Sequence, residues 1–577
     1  MASLAQQAKQ GIAEAVGATG ADPRVWQRSS VFMQANQGPA SICARLTGLK
    51  EERAKDDAPY FTNNEGIPWP TPNYTLNVGG IPVVSDVFLF QKQQHFNRSK
   101  TLERMVHPCG SGAFGYFECT KDMSHLTKAC LFSTPGKKTP VFTRFSTVTY
   151  GREFPDEGRN PRGFATKFYT EDGNYDIVGL NWPIFFLRDP MKGPDNIRSQ
   201  QRNPQNFMID YDSWFDYLAC NPESMHAGLM LMSDHGTPVG WRFMNGYGCH
   251  TFKWVNKDGQ AVYIKYHFMN ETPNKNFTWE EAVKVCGEDP DFSKRELWAH
   301  IEKGGEAAWK LHVQTMSPDE AANLDFDPFD VTKVWPRKRF PMQEVGRLVL
   351  NRNPEDYHRD VEQAAFSPGS MIPGIEASPD MLLQWRCFFY RDAQYHRLGV
   401  NLHQVPVNCP FMASSYSSIN FAGALRTDAN TGMNPHYSQN SYDTPAFRPD
   451  TDSHPVQVGD NILSRRSHYM HEGKPSEYDQ VRELYQRVMS AEERANTHKN
   501  TAVVLKLAIP RIQRKYLAQC YAVDPAYAKG IYDLLPSPAF SMEEVRNEAK
   551  DAHLVGMEKK YAPVNRFNGR CPVEHSA

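Results

Sequence analysis

The sequence predicts an α+β fold: an antiparallel, β-rich core followed by a helical C-terminal part. Between about residues 103 and 350, short alternating runs (VFTRFSTV, GFATKFY, AVYIKYHF and RLVLNR) are separated by Gly, Asn and Asp turns, the pattern of half-buried antiparallel strands. In SEYDQVRELYQRVMS the period changes. There Val481, Leu484, Tyr485 and Val488 recur at i, i+3, i+4 and i+7, one face of a helix.

Residues 1–102 are polar and rich in Pro, Asn and Gly after an Ala-rich start able to form one helix, and they read as an N-terminal arm. Residues 103–352 carry the strand runs and form the core. Residues 353–465 mix short helical segments with a patternless, Pro- and Asn-rich stretch through 404–460, too long for a simple loop and therefore a covering segment. Residues 466–577 are helical. Ser476 with Asp479 makes a capping-box-like start, and Ser490/Glu493 and Ser541/Glu544 repeat the signature.

Composition narrows the function. A net charge of −2 with no basic block or heptad run gives no electrostatic footprint for a nucleic acid or a membrane surface. The 11 cysteines are scattered, odd in number and form no CxxC pair, which points to a reducing compartment. The start of the chain lacks a signal-peptide pattern and no run of eighteen apolar residues occurs, so no membrane span and an intracellular location are expected. The last three residues, HSA, are not an SKL-type address, which favours cytoplasm over peroxisome.

GSGAFG, Gly110 to Gly115, fits GxGxxG, but MVHPC precedes it and the strand-like YFECT follows, where a dinucleotide fingerprint needs an apolar strand and then a helix. His107 stands just before these glycines and could move protons near neutral pH. In VFTRFSTV, period 2 places Arg144, Ser146 and Val148 on one face, with an arginine for an acidic group and a serine able to fix a histidine tautomer. In WRCFFYRD, Arg386 and Tyr390 are i and i+4 on a helix, so the guanidinium favours the phenolate, and a phenolate is a ligand for ferric iron. Each also has a bland reading: a structural histidine, a surface arginine with a strand serine, an Arg–Tyr packing pair.

Together, LERMVHPCGSGAFGYFECT, KKTPVFTRFSTV, NPRGFATKFYTEDGNYDIVG, PIFFLRDP, MNGYGCHTFK and PGIEASPDMLLQWRCFFYRD resemble the haem-containing monofunctional catalase family, in the same order and with compatible spacing. The resemblance implies an antiparallel β-barrel with an arm, a wrapping segment and C-terminal helices, a homo-oligomer (tetramer or dimer), and haem b. His107 is then similar to the distal histidine, Ser146 to the serine that orients it, and Tyr390 to the proximal iron ligand. Arg104, Arg144 and Arg397 resemble the arginines that meet the haem propionates, and Val106, Val148 and Phe185 residues that line the pocket. Asp380, His250 and Arg386 fit the relay that keeps Tyr390 anionic.

The departures from the family pattern matter as much. In GLNWPIFF, Leu180 stands where the family has its distal amide, and Asn181 matches the next position. Adjacent residues of an extended backbone face opposite ways, so the leucine is expected to face the reaction. Asn160 replaces a channel acid, Gly193 an aromatic and Asn196 a phenylalanine, which predicts a roomier pocket. Of the positions similar to the family's NADPH site, His226, Ser233, Asn245, Tyr247, Val334 and Trp335 match. His235, Met269 and Arg337 replace Arg, Lys and His, which argues against NADPH. The expected function is peroxide O–O cleavage coupled to oxidation of a small organic substrate, in specialised biosynthesis such as alkaloid formation or in fatty-acid hydroperoxide metabolism. The alternative is an ordinary catalase that converts hydrogen peroxide to water and oxygen.

Overall fold

The structure, a computed structural model, describes residues 61–416, scattered positions of 417–451, and residues 477–555. The Ala-rich start and Ser476 lie outside the described residues. The strands are β1 (Gly110–Cys119), β2 (Lys138–Ser146), β3 (Gly163–Thr170), β4 (Gly173–Leu180), β5 (Gly246–Tyr247), β6 (Phe252–Val255), β7 (Ala261–Asn270), β8 (Ala307–Met316), β9 (Gln343–Arg352) and β10 (Ile375–Ala377), and the four predicted runs fall in β2, β3, β7 and β9. Eight of them close into a barrel in the order β1-β2-β3-β4-β5-β7-β8-β9, with β9 paired back to β1, and β6 and β10 continue outward from β7. The registered pairs are antiparallel throughout.

Alternation decides which side chains fill the barrel. Phe145, Phe164 and Trp309 are buried in it, with Phe145 and Phe164 edge to face at 5.1 Å. Their neighbours in sequence point outward. GSGAFG is part of β1, and a Cβ on Gly110 or Gly115 would overlap the carbonyl oxygens of Phe145 or Val349 on the adjoining strands. These glycines serve close strand approach, not phosphate binding.

A second core is helical. It joins α3 (Tyr211–Cys220) and α4 (Met225–Met232) to the C-terminal α6 (Ala491–Leu505), α7 (Pro510–Val523), α8 (Pro525–Tyr532) and α9 (Met542–Ala549). Trp182, Phe215, Leu231, Leu505, Tyr516 and Tyr527 are among its buried members. The capping boxes at Ser490/Glu493 and Ser541/Glu544 both form. One helical expectation fails. Val488 is 69% exposed and Met489 is buried, because Leu484–Val488 is a π-helical turn whose extra residue advances the apolar stripe by one position.

Two further helices frame the site: α2 (Gly193–Ser199), which leads toward α3, and α5 (Met381–Leu398). Ahead of the barrel strands, α1 (Val87–Asn97) buries no residue at all.

Candidate active site

The site lies on the outer face of β2, β3 and β4. Register places Ser146 opposite Gly163 and Gly163 opposite Leu180, one row across three strands, and Arg144, Ala165 and Val178 form the next row on that face. His107 reaches the row from the segment before β1. Its φ of +64° is rare for a non-glycine residue, and three bonds hold it: its N–H donates to the Val148 carbonyl at 2.9 Å, its own carbonyl accepts from Arg144 at 2.8 Å, and Nδ1 meets Ser146 Oγ at 2.8 Å. Arg144 also donates to the Pro108 carbonyl. Burial first, then Arg144 and Arg386, push the His107 imidazole down to about 3, so it is neutral at ordinary pH.

Across from it, α5 carries the second group. Its N-cap is Asp380, whose carboxylate accepts from the N–H groups of Leu382 and Leu383 at 3.0 Å and from His250 Nδ1 at 2.7 Å. Burial works against the charge, but His250 and these hydrogen bonds hold the Asp380 carboxyl below its usual range, while burial lowers His250. The pair is therefore a neutral imidazole donating to a carboxylate. Nearly two turns on, Arg386 donates to the Tyr390 hydroxyl at 2.8 Å and to the Val178 carbonyl at 3.1 Å, with its guanidinium 4.7 Å from the phenol ring centre. The i, i+4 spacing thus produces the contact expected of it.

Between the two groups is a cavity of about 360 Å³, walled in part by Val148, Leu180, Phe185, Trp385 and Phe389. A smaller hollow of about 40 Å³ shares Val106, His107 and Tyr390 with it and runs to Arg104 and Arg144. Arg104 donates to the carbonyls of Val361, Glu362 and Ala364 and pairs with the Glu362 carboxylate at 3.3 Å. Arg397 is absent from both walls. It donates to the Glu362 and Ala364 carbonyls from behind.

The altered positions sort differently from the expectation. Leu180 lines the cavity, as the register requires. Asn181 turns away: its Oδ1 accepts from the Arg162 N–H at 2.9 Å and its Nδ2 donates to the His235 carbonyl at 3.1 Å. The expected extra room at Gly193 is not there. A Cβ at Gly193 would stand 2.7 Å from the Trp385 ring, so an indole from α5 fills the space an aromatic at 193 would take. Asn196 and Asn160 do not line the cavity either. Asn196 is buried beside Gln200, and Asn160 accepts from the N–H groups of Val148 and Thr149 and donates to Thr149 Oγ1. Sequence reasoning missed Trp385 and Phe389, whose rings stack at 4.7 Å; their i, i+4 spacing in WRCFFYRD was the available signal.

The NADPH-like positions are occupied by internal bonds. His226 Nδ1 meets the Thr332 carbonyl, Ser233 donates to the Met230 carbonyl, and Trp335 donates to the Pro328 carbonyl. Gln480 of the C-terminal part clamps both the N–H and the carbonyl of Val334, at 2.9 and 3.0 Å.

A sequence profile described as Catalase matches residues 62–444, and one described as Catalase-related immune-responsive matches residues 471–535. The catalase of Methanosarcina barkeri (strain Fusaro / DSM 804) is 42% identical over 507 residues, covering 88% of this chain and 99% of its own. The catalase of Mus musculus is 42% identical over 517 residues, covering 89% and 96%. The crystal structure of a fungal catalase superposes with a TM-score of 0.78 at 39% identity, over 84% of this chain and 99% of its own. Catalase A from Saccharomyces cerevisiae gives 0.77 at 38%, over 82% and 98%. With these likenesses spanning the barrel, the facing histidine and tyrosine, and most of the C-terminal helices, the chain belongs to the catalase family and is an oxidoreductase that acts on peroxide.

Proposed function

We propose that the cavity between His107 and Tyr390 binds haem b and that the base reaction there is dismutation of hydrogen peroxide to water and oxygen. The observation that carries this is the pairing of a neutral, Ser146-bound imidazole with an Arg386-bound phenol across one cavity. Relatives of similar length named simply catalase support it over the organic-substrate reading as the base reaction.

The residues fit a haem. Tyr390 would offer iron the phenol oxygen to which Arg386 donates, and among the described residues the buried Arg144 Nε has no hydrogen-bond partner, as suits a carboxylate arriving at that end. A Cβ on Gly163 would collide with Ser146 Oγ and His107 Nδ1, so the absence of a side chain there keeps the histidine in place. Haem held there would supply a redox-active iron for cleavage of the peroxide O–O bond. His107, neutral and accepting, takes the proton from one peroxide oxygen and returns it to the other, while Ser146 fixes the ring. Asp380 anchors the start of α5 and orients His250, which lines the same cavity.

Leu180 favours a second reading. It faces the cavity and offers no hydrogen bond, and the neighbouring Asn181 amide is engaged elsewhere, so hydrogen peroxide loses one preorganised donor. Oxidation of a small organic substrate, as in specialised or fatty-acid hydroperoxide metabolism, then competes with dismutation. NADPH is not proposed as a second cofactor. A homo-oligomer is proposed because the arm leaves Tyr74 81% and Val84 84% exposed, apolar surface that a second copy would cover. Cytoplasmic residence is proposed on the cysteine pattern.

The test is oxygen evolution from hydrogen peroxide by the haem-loaded enzyme, normalised to haem, beside a control catalase. Turnover roughly tens-fold below the control is expected, the deficit of the one donor that Leu180 does not supply. No oxygen release above background from protein with an intact haem spectrum would overturn dismutation in favour of the organic substrate.

A further inference from the structure

Four side chains able to carry positive charge line the larger cavity: His107, Arg198, His250 and Arg386. Three of them are engaged. His107 is bound to Ser146, His250 to Asp380, and Arg386 to Tyr390 and the Val178 carbonyl. Arg198, in the last turn of α2, is exposed and has no side-chain hydrogen bond or ion pair among the described residues. Among the described residues, no Asp or Glu lines the cavity. Asn160, which stands where the family's channel acid is, carries no charge and is turned to the backbone of Val148 and Thr149.

The wall around Arg198 is apolar. Met105 and Pro194 are exposed at the rim with it, and Leu180, Phe185, Ile197 and Trp385 continue inward. Glycine at 193 has an ordinary helical backbone with φ of −57°, so it is not required by conformation. Its lack of a side chain is what admits the Trp385 indole to this wall. A guanidinium with no partner among the described residues, at the mouth of an apolar cavity, matches an anionic head on an apolar body, and the carboxylates of haem are already assigned to the Arg144 end, in the hollow that Arg198 does not line. Hydrogen peroxide, small and neutral, uses neither feature.

We propose that Arg198 is a substrate-binding residue that captures the carboxylate of an apolar organic acid, with the acid's body lying along Leu180, Ile197 and Trp385. The proposal rests on the organic-substrate reading of the same cavity and names its substrate class. The planar fork meets the carboxylate at the rim, and the apolar body leaves water on entering.

The test uses haem-loaded enzyme with dodecanoate and dodecanol as probes, with binding read by calorimetry and by perturbation of the haem absorption band. Dodecanoate is expected to bind about tenfold or more tightly than dodecanol, with a preference that weakens in high salt. Arg198→Gln removes that preference and leaves dodecanol affinity unchanged, while Arg198→Lys keeps part of it. Equal affinity for the two probes in the wild type, or an undiminished preference in Arg198→Gln, overturns the proposal. The underlying reading is judged separately by peroxide-driven oxidation of guaiacol, which has no carboxylate. Failure there, with dodecanoate preference intact, overturns the organic-substrate reading and leaves Arg198 as an anion-binding residue.

Discussion

Leu180 and Asn181 divide two tasks that a pair of amides would share. Leu180 presents a hydrocarbon surface to the cavity, and Asn181 completes the ladder beyond the end of β4 by accepting from Arg162. Leu180→Asn should therefore raise dismutation by roughly tens-fold or more, the scale of one preorganised donor, without disturbing Asn181. Initial rates of oxygen release per haem check this, and no gain would mean that position 180 does not see the peroxide. Ser146→Ala removes the one side chain bonded to His107 among the described residues, so turnover should drop about tenfold while haem content stays constant. An unchanged rate would assign the positioning of the ring to its backbone bonds instead.

At the scale of elements, α5 is a single rod that sets several distances at once. Its N-cap fixes Asp380 against His250, and successive turns place Trp385, Arg386, Phe389 and Tyr390 along one cavity. Asp380→Ala removes two backbone acceptor bonds and leaves His250 unpaired, which should cost about 2 kcal/mol or more and lower haem retention. Thermal midpoint and haem stoichiometry read the two effects separately. The contact between α2 and α5 is equally specific. Gly193→Phe should destabilise by about 1–3 kcal/mol through overlap with the indole, and Gly193→Phe with Trp385→Gly should recover most of it. Additive losses in that cycle would mean the two positions do not share the space.

At the scale of the molecule, the barrel core and the helical core are joined by buried charge. Arg188 pairs with Asp330 at 3.1 Å and also with Glu223, between α3 and α4, and with Glu477, ahead of the C-terminal helices. Buried histidines set the response to acid. Burial lowers His226 to about 4 and His267 to about 3, so between about 6.5 and those values the unfolded chain binds protons that the native chain does not. Stability from these groups therefore falls as pH drops below about 6.5. Glu157 acts oppositely: burial raises it to about 7, so its contribution falls as pH rises from about 4.5 to 7. Asp156 and Glu223 are also raised by burial and act with Glu157, but His403, lowered to about 3, and His107 join the other histidines, which together outweigh these acids. Urea midpoints should be lower at pH 5 than at pH 7.5, and an equal or higher midpoint at pH 5 would reverse that balance.

The sequence by itself determined the local features: strand runs from their period of two, helix starts from S-x-x-E, and the Arg386–Tyr390 contact from a spacing of four. It also determined that Leu180 rather than Asn181 faces the cavity, because alternation along β4 allows only one of them to share the row of Ser146 and Gly163. Tertiary structure decided what depends on segments far apart in the chain. The space expected at Gly193 is closed by Trp385, nearly two hundred residues later, and Asn160 is bound to a strand end instead of facing the cavity. Helix phase in SEYDQVRELYQRVMS belongs here too, since the π-helical turn that buries Met489 in place of Val488 is set by packing against the helical core. The physical reason is common to these cases. Alternation and capping act over a few residues and are written in them, whereas the filling of a cavity is settled by whichever side chain the folded chain brings to it.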